Sequence, residues 1–461
     1  MIASPDIERP ELTRSILRGA LVNALGSGGK LLYPLLLLLI TRIYGPSNVG
    51  AFLLLLSVVE LVSCITIEGF DAAVITYGPG AAQREGDEGF YAVVAAALQW
   101  SMALSGAAFA LALAGAPILA RTGWERNGMA EAVRVAGISL PMMAFTCIVI
   151  AATRARLTMT FDAAINGFVK PIALIGAALG LGSRAPTSGS LYAAYLIAQG
   201  VCAAAALGIV VRVFSGRRLL AHVLKAHPMP GLLSFGFSSG AGSLFNAFTA
   251  NAPIVVLGAR GVPASAIAFF GTALTIAANM RQIRFVFSTA FAPAAARLHA
   301  GGGRRQLARL YASATRWSLA LTLPAVALFG LCRREIMTFV HPSYTGDTTF
   351  ILVLLLVPIL RCSLAGTALL AAGRAGWHLF NNALCAAVTV VGAWILVPGY
   401  GIGGAAAAAS AGVVAITAAE LIEARRLLKL PLDLLGRRRE PPPREPLPES
   451  DRPSPYPSAP C

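Results

Sequence analysis

A chain of 461 residues that is 56% hydrophobic and 13% charged cannot cover its surface in water, since ordinary soluble domains carry about 25% charged residues. Its mean hydropathy of +0.70 agrees, and lipid is the solvent that remains. The net charge of +16 would suit nucleic acid, but the bases lie in short loops and the C-terminal stretch, where topology accounts for them, so no nucleic-acid partner is expected.

Residues 1–18 are polar and read as a cytoplasmic segment. The apolar stretch after them, of about 22 residues, is too long for the apolar part of a cleavable signal, so none is expected. Stretches able to cross a hydrocarbon core of about 30 Å fall near 19–41, 48–68, 90–118, 132–152, 161–182, 189–211, 232–257, 264–291, 311–331, 349–372, 377–397 and 402–422. A spanning segment must satisfy its own backbone, so these are expected as helices. The fold class expected is an all-α polytopic membrane protein of about 12 transmembrane helices, arranged as two six-helix bundles related by an axis along the membrane normal.

The first segment carries Gly26-Ser27-Gly28-Gly29, Lys30 and Pro34, and the second carries Glu60. The loop at 71–88 sets Arg84 against Asp71, Glu85, Asp87 and Glu88. Lys170-Pro171 interrupts the fifth segment, which also holds Asn166. The seventh has Ser238-Ser239-Gly240-Ala241-Gly242, Asn246, Asn251 and Pro253. Small residues followed by proline favour a bend, so Gly28, Gly29, Pro34, Gly240, Gly242 and Pro253 are candidate hinges; close helix packing is the alternative. From Pro431 onward proline, arginine and glutamate dominate, and such a stretch cannot bury enough apolar surface to fold alone. The expected divisions are therefore 1–18, a first bundle 19–214, a cytoplasmic linker 215–230, a second bundle 231–428, and a Pro-rich cytoplasmic tail 429–461.

Lys and Arg concentrate in loops on one side, including Arg217, Arg218 and Lys225 in the linker and Arg297, Arg304, Arg305 and Arg309 in the next loop of that side. By the positive-inside rule both termini are cytoplasmic, and a bacterial inner membrane is expected. The chain also echoes itself. Ala151-Ala152-Thr153-Arg154 returns as Ala371-Ala372-Gly373-Arg374, Arg42-Ile43-Tyr44-Gly45-Pro46 as Arg260-Gly261-Val262-Pro263, and Asn166 as Asn381 and Asn382. The common offset of about 215–220 residues suggests two like-oriented halves with a substrate path between them.

Charges inside a membrane are costly and mark functional or paired groups. The candidates are Lys30, Glu60, Lys170, Arg281, Arg284, Arg316 and Arg361. At 1.5 Å per residue, Lys30, Glu60, Lys170 and Arg361 fall roughly 0.4 to 0.5 of the way up from the cytoplasmic face, with the others lower. Such a layer suits an anionic head group. Arg281 and Arg284 share one helix face and could clamp a pyrophosphate through charge-assisted bidentate bonds. Lys170, Arg361 and Asn251 join them as substrate-binding candidates, and the other asparagines could meet sugar hydroxyls. The structural alternatives are a simple Lys30–Glu60 pair and arginines that snorkel to the interface. Glu60, as the one acid near mid-membrane, is the candidate coupling residue. The seven cysteines lack CxxC spacing, and the histidines (His222, His227, His299, His341 and His378) form no cluster. No catalytic residue, metal or cofactor is expected.

The stretch Arg42-Ile43-Tyr44-Gly45-Pro46-Ser47-Asn48-Val49-Gly50 resembles the signature after the first helix of bacterial polysaccharide flippases. Val256-Leu257-Gly258 through Phe291-Ala292-Pro293, and Pro398-Gly399-Tyr400-Gly401-Ile402-Gly403-Gly404-Ala405, resemble later parts of that family. The resemblance, over about 12–428, points to the multidrug/oligosaccharidyl-lipid/polysaccharide flippase superfamily. It implies two bundles, alternating access, and a cationic cavity for a polyprenyl-pyrophosphate-linked oligosaccharide destined for O-antigen, capsule or exopolysaccharide. A coupling proton or sodium ion and action as a monomer are expected with it. Many relatives carry an acid late in helix seven, where this chain has Asn251 and Pro253, which opens the identity of the coupling ion. A multidrug exporter would favour carboxylates in its cavity, and a glycan polymerase or ligase would need a larger outer loop than 119–131 or 332–348.

Overall fold

The computed structural model describes residues 32–119, 129–156, 158, 160–225, 229–300 and 304–428. Every regular element among them is helical. In order they are α1 (Leu32–Ser63), a π-helical turn (Cys64–Glu68), α2 (Gly69–Leu119), α3 (Met129–Ala155), α4 (Thr160–Ala164), a second π-turn (Ile165–Val169), α5 (Lys170–Gly182), α6 (Ser188–Val213) and α7 (Gly216–Val223). Then come α8 (Pro230–Ala259), α9 (Ala264–Ala300), α10 (Arg304–Leu331), α11 (Arg333–Val340), α12 (Thr349–Leu354), α13 (Leu356–Leu360), α14 (Ala365–Ala371) and α15 (Ala375–Leu428).

Eight helical runs among the described residues are long and apolar enough to cross a membrane, fewer than the twelve segments expected. Part of the difference is that the longest runs are bent rods. Leu35–Pro117 changes direction at Gly45 (φ +76°) and Gly86 (φ +65°), and Gly376–Leu428 does so at Gly401 (φ +53°). Positive φ is strained for any residue with a Cβ, so these glycines set the corners between the expected segments. α9, which bears Arg281 and Arg284, is not among the eight runs.

The fifth segment is continuous. Pro171 has no N–H to give the preceding turn, and the π-turn Ile165–Val169 absorbs that defect, so one apolar run extends over Thr160–Gly182. The tenth is broken instead into α12, α13 and α14, with Pro358 inside the short α13.

α2 packs along α3, α3 along α6, and α5 along α6; on the other side α8 packs along α15, α9 along α10, and α14 along α15. The seam between the groups is made by α1 and α2 against α8 and α9. It is close because it is lined by small residues. A Cβ on Gly50 would overlap the Ala264 carbonyl, and one on Gly69 would overlap that of Gly236. Gly240 also lies against the carbonyl of Cys64.

The internal echo has a structural counterpart at Arg42 and Arg260. Arg42 lies 4.8 Å from the centre of the Phe339 ring and donates to the carbonyls of Phe339 and Val340. Arg260 lies 4.0 Å from the Trp394 ring centre and donates to the Trp394 carbonyl at 3.1 Å. Each arginine sits beside a turn with a positive-φ glycine, Gly45 or Gly261. Large apolar side chains such as Leu111, Trp317, Leu331, Ile395 and Tyr400 point outward, a surface suited to lipid.

Candidate functional site

The break between α13 and α14 builds one wall of a cavity lined by several polar side chains. A helix end leaves carbonyls without intrahelical partners, and Arg284 of α9 reaches across to one of them. Its Nε donates to the Ser363 carbonyl at 3.2 Å and its Nη2 to Thr367 Oγ1 at 3.4 Å. Tyr311 of α10 meets the Ser363 hydroxyl at 3.1 Å. Arg361 closes α13, and its Nη1 lies 3.6 Å from Glu420 Oε1. Arg281, one helical turn before Arg284, makes no hydrogen bond or ion pair among the described residues. The cavity these groups share is about 840 Å³, and Asn246, Gln282 and Asn382 also line it.

A second cavity of about 510 Å³ lies at the seam, where Glu60 of α1, Asn251 of α8 and Arg281 of α9 meet. The side chains of Glu60 and Asn251 both line it. Asn251 also donates to the Ala247 carbonyl of its own helix at 3.1 Å. Glu60, Glu68 and Lys170 line a third cavity of about 350 Å³ that is otherwise mostly apolar. In a fourth, of about 390 Å³, Arg154 bridges Asp71 at 3.1 Å and Asp162 at 3.8 Å, beside Glu68 and Asn166. Asn166 donates to Asp162 at 2.7 Å, as Asn381 does to Glu423 at 2.7 Å.

The four cavities adjoin through shared residues: Arg281, then Glu60, then Glu68, then Ser243. The polar interior is therefore two-sided. Arginines gather on α9 and α13–α14, whereas carboxylates of α1, α2, α4 and the first π-turn gather across the seam.

Of the expected site residues, Arg281, Arg284 and Arg361 come together in the cavity of about 840 Å³. Asn251 and Glu60 meet at the seam, and Lys170 lies beside Glu60. Lys30, Gly28 and Gly29 lie outside the described residues, as does the tail 429–461, and Pro34 falls in the first turn of α1. Gly240, Gly242 and Pro253 sit within α8, which is unbroken in this conformation. Arg316 donates to the Ala312 carbonyl of its own helix.

Glu60 is not alone among the buried acids, because Glu420 and Glu423 are 2% and 9% exposed and Glu68 lines two of the cavities. Glu420 escaped the reading because the last segment was expected to end at 422, near the membrane rim. The helix instead runs on to Leu428. A usable signal was present, since the interior Arg361 calls for a counter-charge.

Residues 39–343, well over half the chain, match the family model of a polysaccharide biosynthesis protein. No curated protein matches the chain in sequence. Among solved structures it is similar to an inward-facing multidrug resistance MATE family transporter of the MOP superfamily. That match has 14% identity and a TM-score of 0.72, over 87% of this chain and 94% of the other. It is also similar to the lipid II flippase MurJ in an inward closed conformation, with 13% identity and a TM-score of 0.70 over 88% of this chain and 87% of that one. An outward-facing MATE family transporter matches with a TM-score of 0.58 at 15% identity, over 90% and 95% of the two chains. What is shared at these identities is the fold, that of an all-helical, multi-pass membrane protein.

Proposed function

The chain belongs to the polysaccharide biosynthesis protein family, and on that premise we propose that it is a flippase for a polyprenyl-pyrophosphate-linked oligosaccharide. It carries this substrate from the cytoplasmic to the periplasmic leaflet of a bacterial inner membrane by alternating access, for O-antigen, capsule or exopolysaccharide assembly. The observation that carries the reading is the meeting of Arg281, Arg284 and Arg361 in one cavity of about 840 Å³. Guanidinium groups are suited to bidentate contacts with phosphate oxygens. Asn246, Gln282 and Asn382 on the same wall suit sugar hydroxyls, and an intramembrane cluster of charge is a functional site by default. The folds it resembles belong to transporters and a flippase, which favours transport over polymerase or ligase chemistry.

In this reading the chain crosses the membrane twelve times with both termini cytoplasmic, as bundles 19–214 and 231–428, and works as a monomer. The bundles rock about the seam, with Gly28, Gly29, Pro34, Gly240, Gly242 and Pro253 easing the bend. Glu60, with Lys170 and Asn251 lining cavities beside it, couples the cycle to a proton or sodium ion. The test is reconstitution into vesicles with a polyprenyl-pyrophosphate-linked glycan, scoring its appearance in the opposite leaflet. Arg281→Gln is expected to insert normally and to abolish that signal; full transport by this variant would overturn the reading.

A second reading, multidrug export, is favoured by Glu68, Asp71 and Asp162 around the fourth cavity, since carboxylates attract organic cations. Vesicles that accumulate a cationic dye and leave the glycan in place would favour it.

A further inference from the structure

The acid facing the three arginines has a place of its own. Glu420 is the one carboxylate lining their cavity. Its side chain is 3% exposed, and Arg361 is its single ion-pair partner among the described residues. Room for the carboxylate comes from Gly366 on α14, where a Cβ would overlap Oε1 of Glu420. The pair is a loose one. At 3.6 Å it lies beyond ordinary hydrogen-bond length, and Nη1 of Arg361 has no hydrogen-bond partner. Glu423, one turn further along α15, is occupied by Asn381 and does not line the cavity. The charged and titratable groups around Glu420 are Arg361, Arg284 of α9, Tyr311 of α10, and His378, Cys385 and Glu423 of α15.

We infer that Glu420 is a built-in stand-in for the substrate's anion: it holds Arg361 while the cavity is empty and must yield that arginine when a phosphorylated ligand enters. The inference rests on the assignment of this cavity to a pyrophosphate group. An arginine buried with no counter-charge would be costly, and Glu420 supplies one in the empty state. The same carboxylate competes with the incoming anion, so it caps affinity and helps the ligand leave on the far side. Binding strength is thereby exchanged for turnover, because a ligand held too firmly in one access state cannot drive the protein into the other.

The experiment uses the full-length protein in detergent, with inorganic pyrophosphate titrated by calorimetry and thermal unfolding recorded alongside. Glu420→Gln keeps the size of the side chain and removes the competing charge. It is expected to bind pyrophosphate on the order of tenfold more tightly, within the usual range for coupled binding events, and to turn over more slowly in vesicles. Glu420→Asp withdraws the carboxylate by one methylene and is expected to fall between the two. It carries the test if the glutamine variant does not fold. Glu423→Gln, outside the cavity, is expected to bind as the unsubstituted protein does. Binding that is lost in Arg281→Gln yet unchanged or weaker in both Glu420 variants would overturn the stand-in and leave the cavity assignment intact. Absence of pyrophosphate binding in the unsubstituted protein and in Glu420→Gln alike would overturn the cavity assignment, and the stand-in with it.

Discussion

Arg281 and Arg361 line the same cavity but differ in what each leaves behind when removed. Arg361 neutralises the buried Glu420, so Arg361→Gln strands a carboxylate. Breaking a buried pair in this way costs about 3–5 kcal/mol, and the loss should be visible as early thermal unfolding in detergent. Arg281 makes no ion pair among the described residues, and Glu60 across the seam keeps Lys170 beside it, so Arg281→Gln is expected to unfold less early than Arg361→Gln. Both variants are expected to lose glycan translocation. Equal destabilisation by the two would contradict the charge arrangement described. Glu60 poses a separate question, because Asn251, Lys170 and Arg281 surround it at the seam. Glu60→Gln keeps the size of the side chain and removes titration. Its transport is expected to become independent of an imposed proton gradient, and transport just as gradient-dependent as before would remove Glu60 as the coupling group. The arginines of this site were legible because charge within an apolar run stands out. The pairing of Arg361 with Glu420 was not, since it joins two helices whose contact no spacing in the chain announces.

Between elements, the structure shows how the two sides of the seam are held at the end that bears the Gly45 and Gly261 turns. α11 lies over the end of the first rod of α1, where Arg42 donates to its carbonyls and stacks on Phe339. The turn after α11 then buries Tyr344 against Phe269 of α9, with ring centres 5.0 Å apart. Arg42→Ala removes both the hydrogen bonds and the cation–π contact, each of which is individually modest. Together they bridge elements that must separate if this end opens. A cysteine placed at Thr272, which is 2% exposed, is therefore expected to react with a water-soluble maleimide several times faster when Arg42 is alanine. Arg84→Ala serves as the control, since that side chain reaches the Gly80 carbonyl of its own helix. An unchanged rate would show that Arg42 does not hold this closure. The repeated turn was readable as Arg42 to Pro46 and Arg260 to Pro263; the aromatic ring under each arginine was not, because Phe339 and Trp394 both lie in the second half and do not share the offset that relates the two arginines.

For the whole molecule, the decisive quantity is the side on which each loop lies. The acidic stretch at 71–88, expected as a loop and helical as the start of α2, is matched by bases at and just past the end of α3 and in α7. Arg154 reaches Asp71, Arg156 reaches Asp87 at 2.7 Å, and His222 and Arg218 reach Glu88. Hydrogen bonding to His222 holds the exposed Glu88 carboxyl below its usual range. Three segments that meet in this way must share one side of the membrane. Reporter fusions placed after Arg218 and after Arg309 are accordingly both expected to report cytoplasm. A periplasmic signal from either would break the arrangement of two like-oriented bundles.

The sequence by itself determined the solvent, the all-helical class and the arginine layer. These follow from composition and from the cost of charge in hydrocarbon, which no tertiary arrangement can change. It also placed Gly45 between the first two apolar segments and Gly401 between the last two. Only the tertiary structure decided which acids answer the bases: Glu420 beside Arg361, Glu60 beside Lys170, and Asp71 and Asp162 around Arg154. The physical reason is that an ion pair depends on how two helices are rotated and how far each extends. Both are set by packing against every other helix, as at the seam, where Gly69 meets Gly236 and brings α2 against α8.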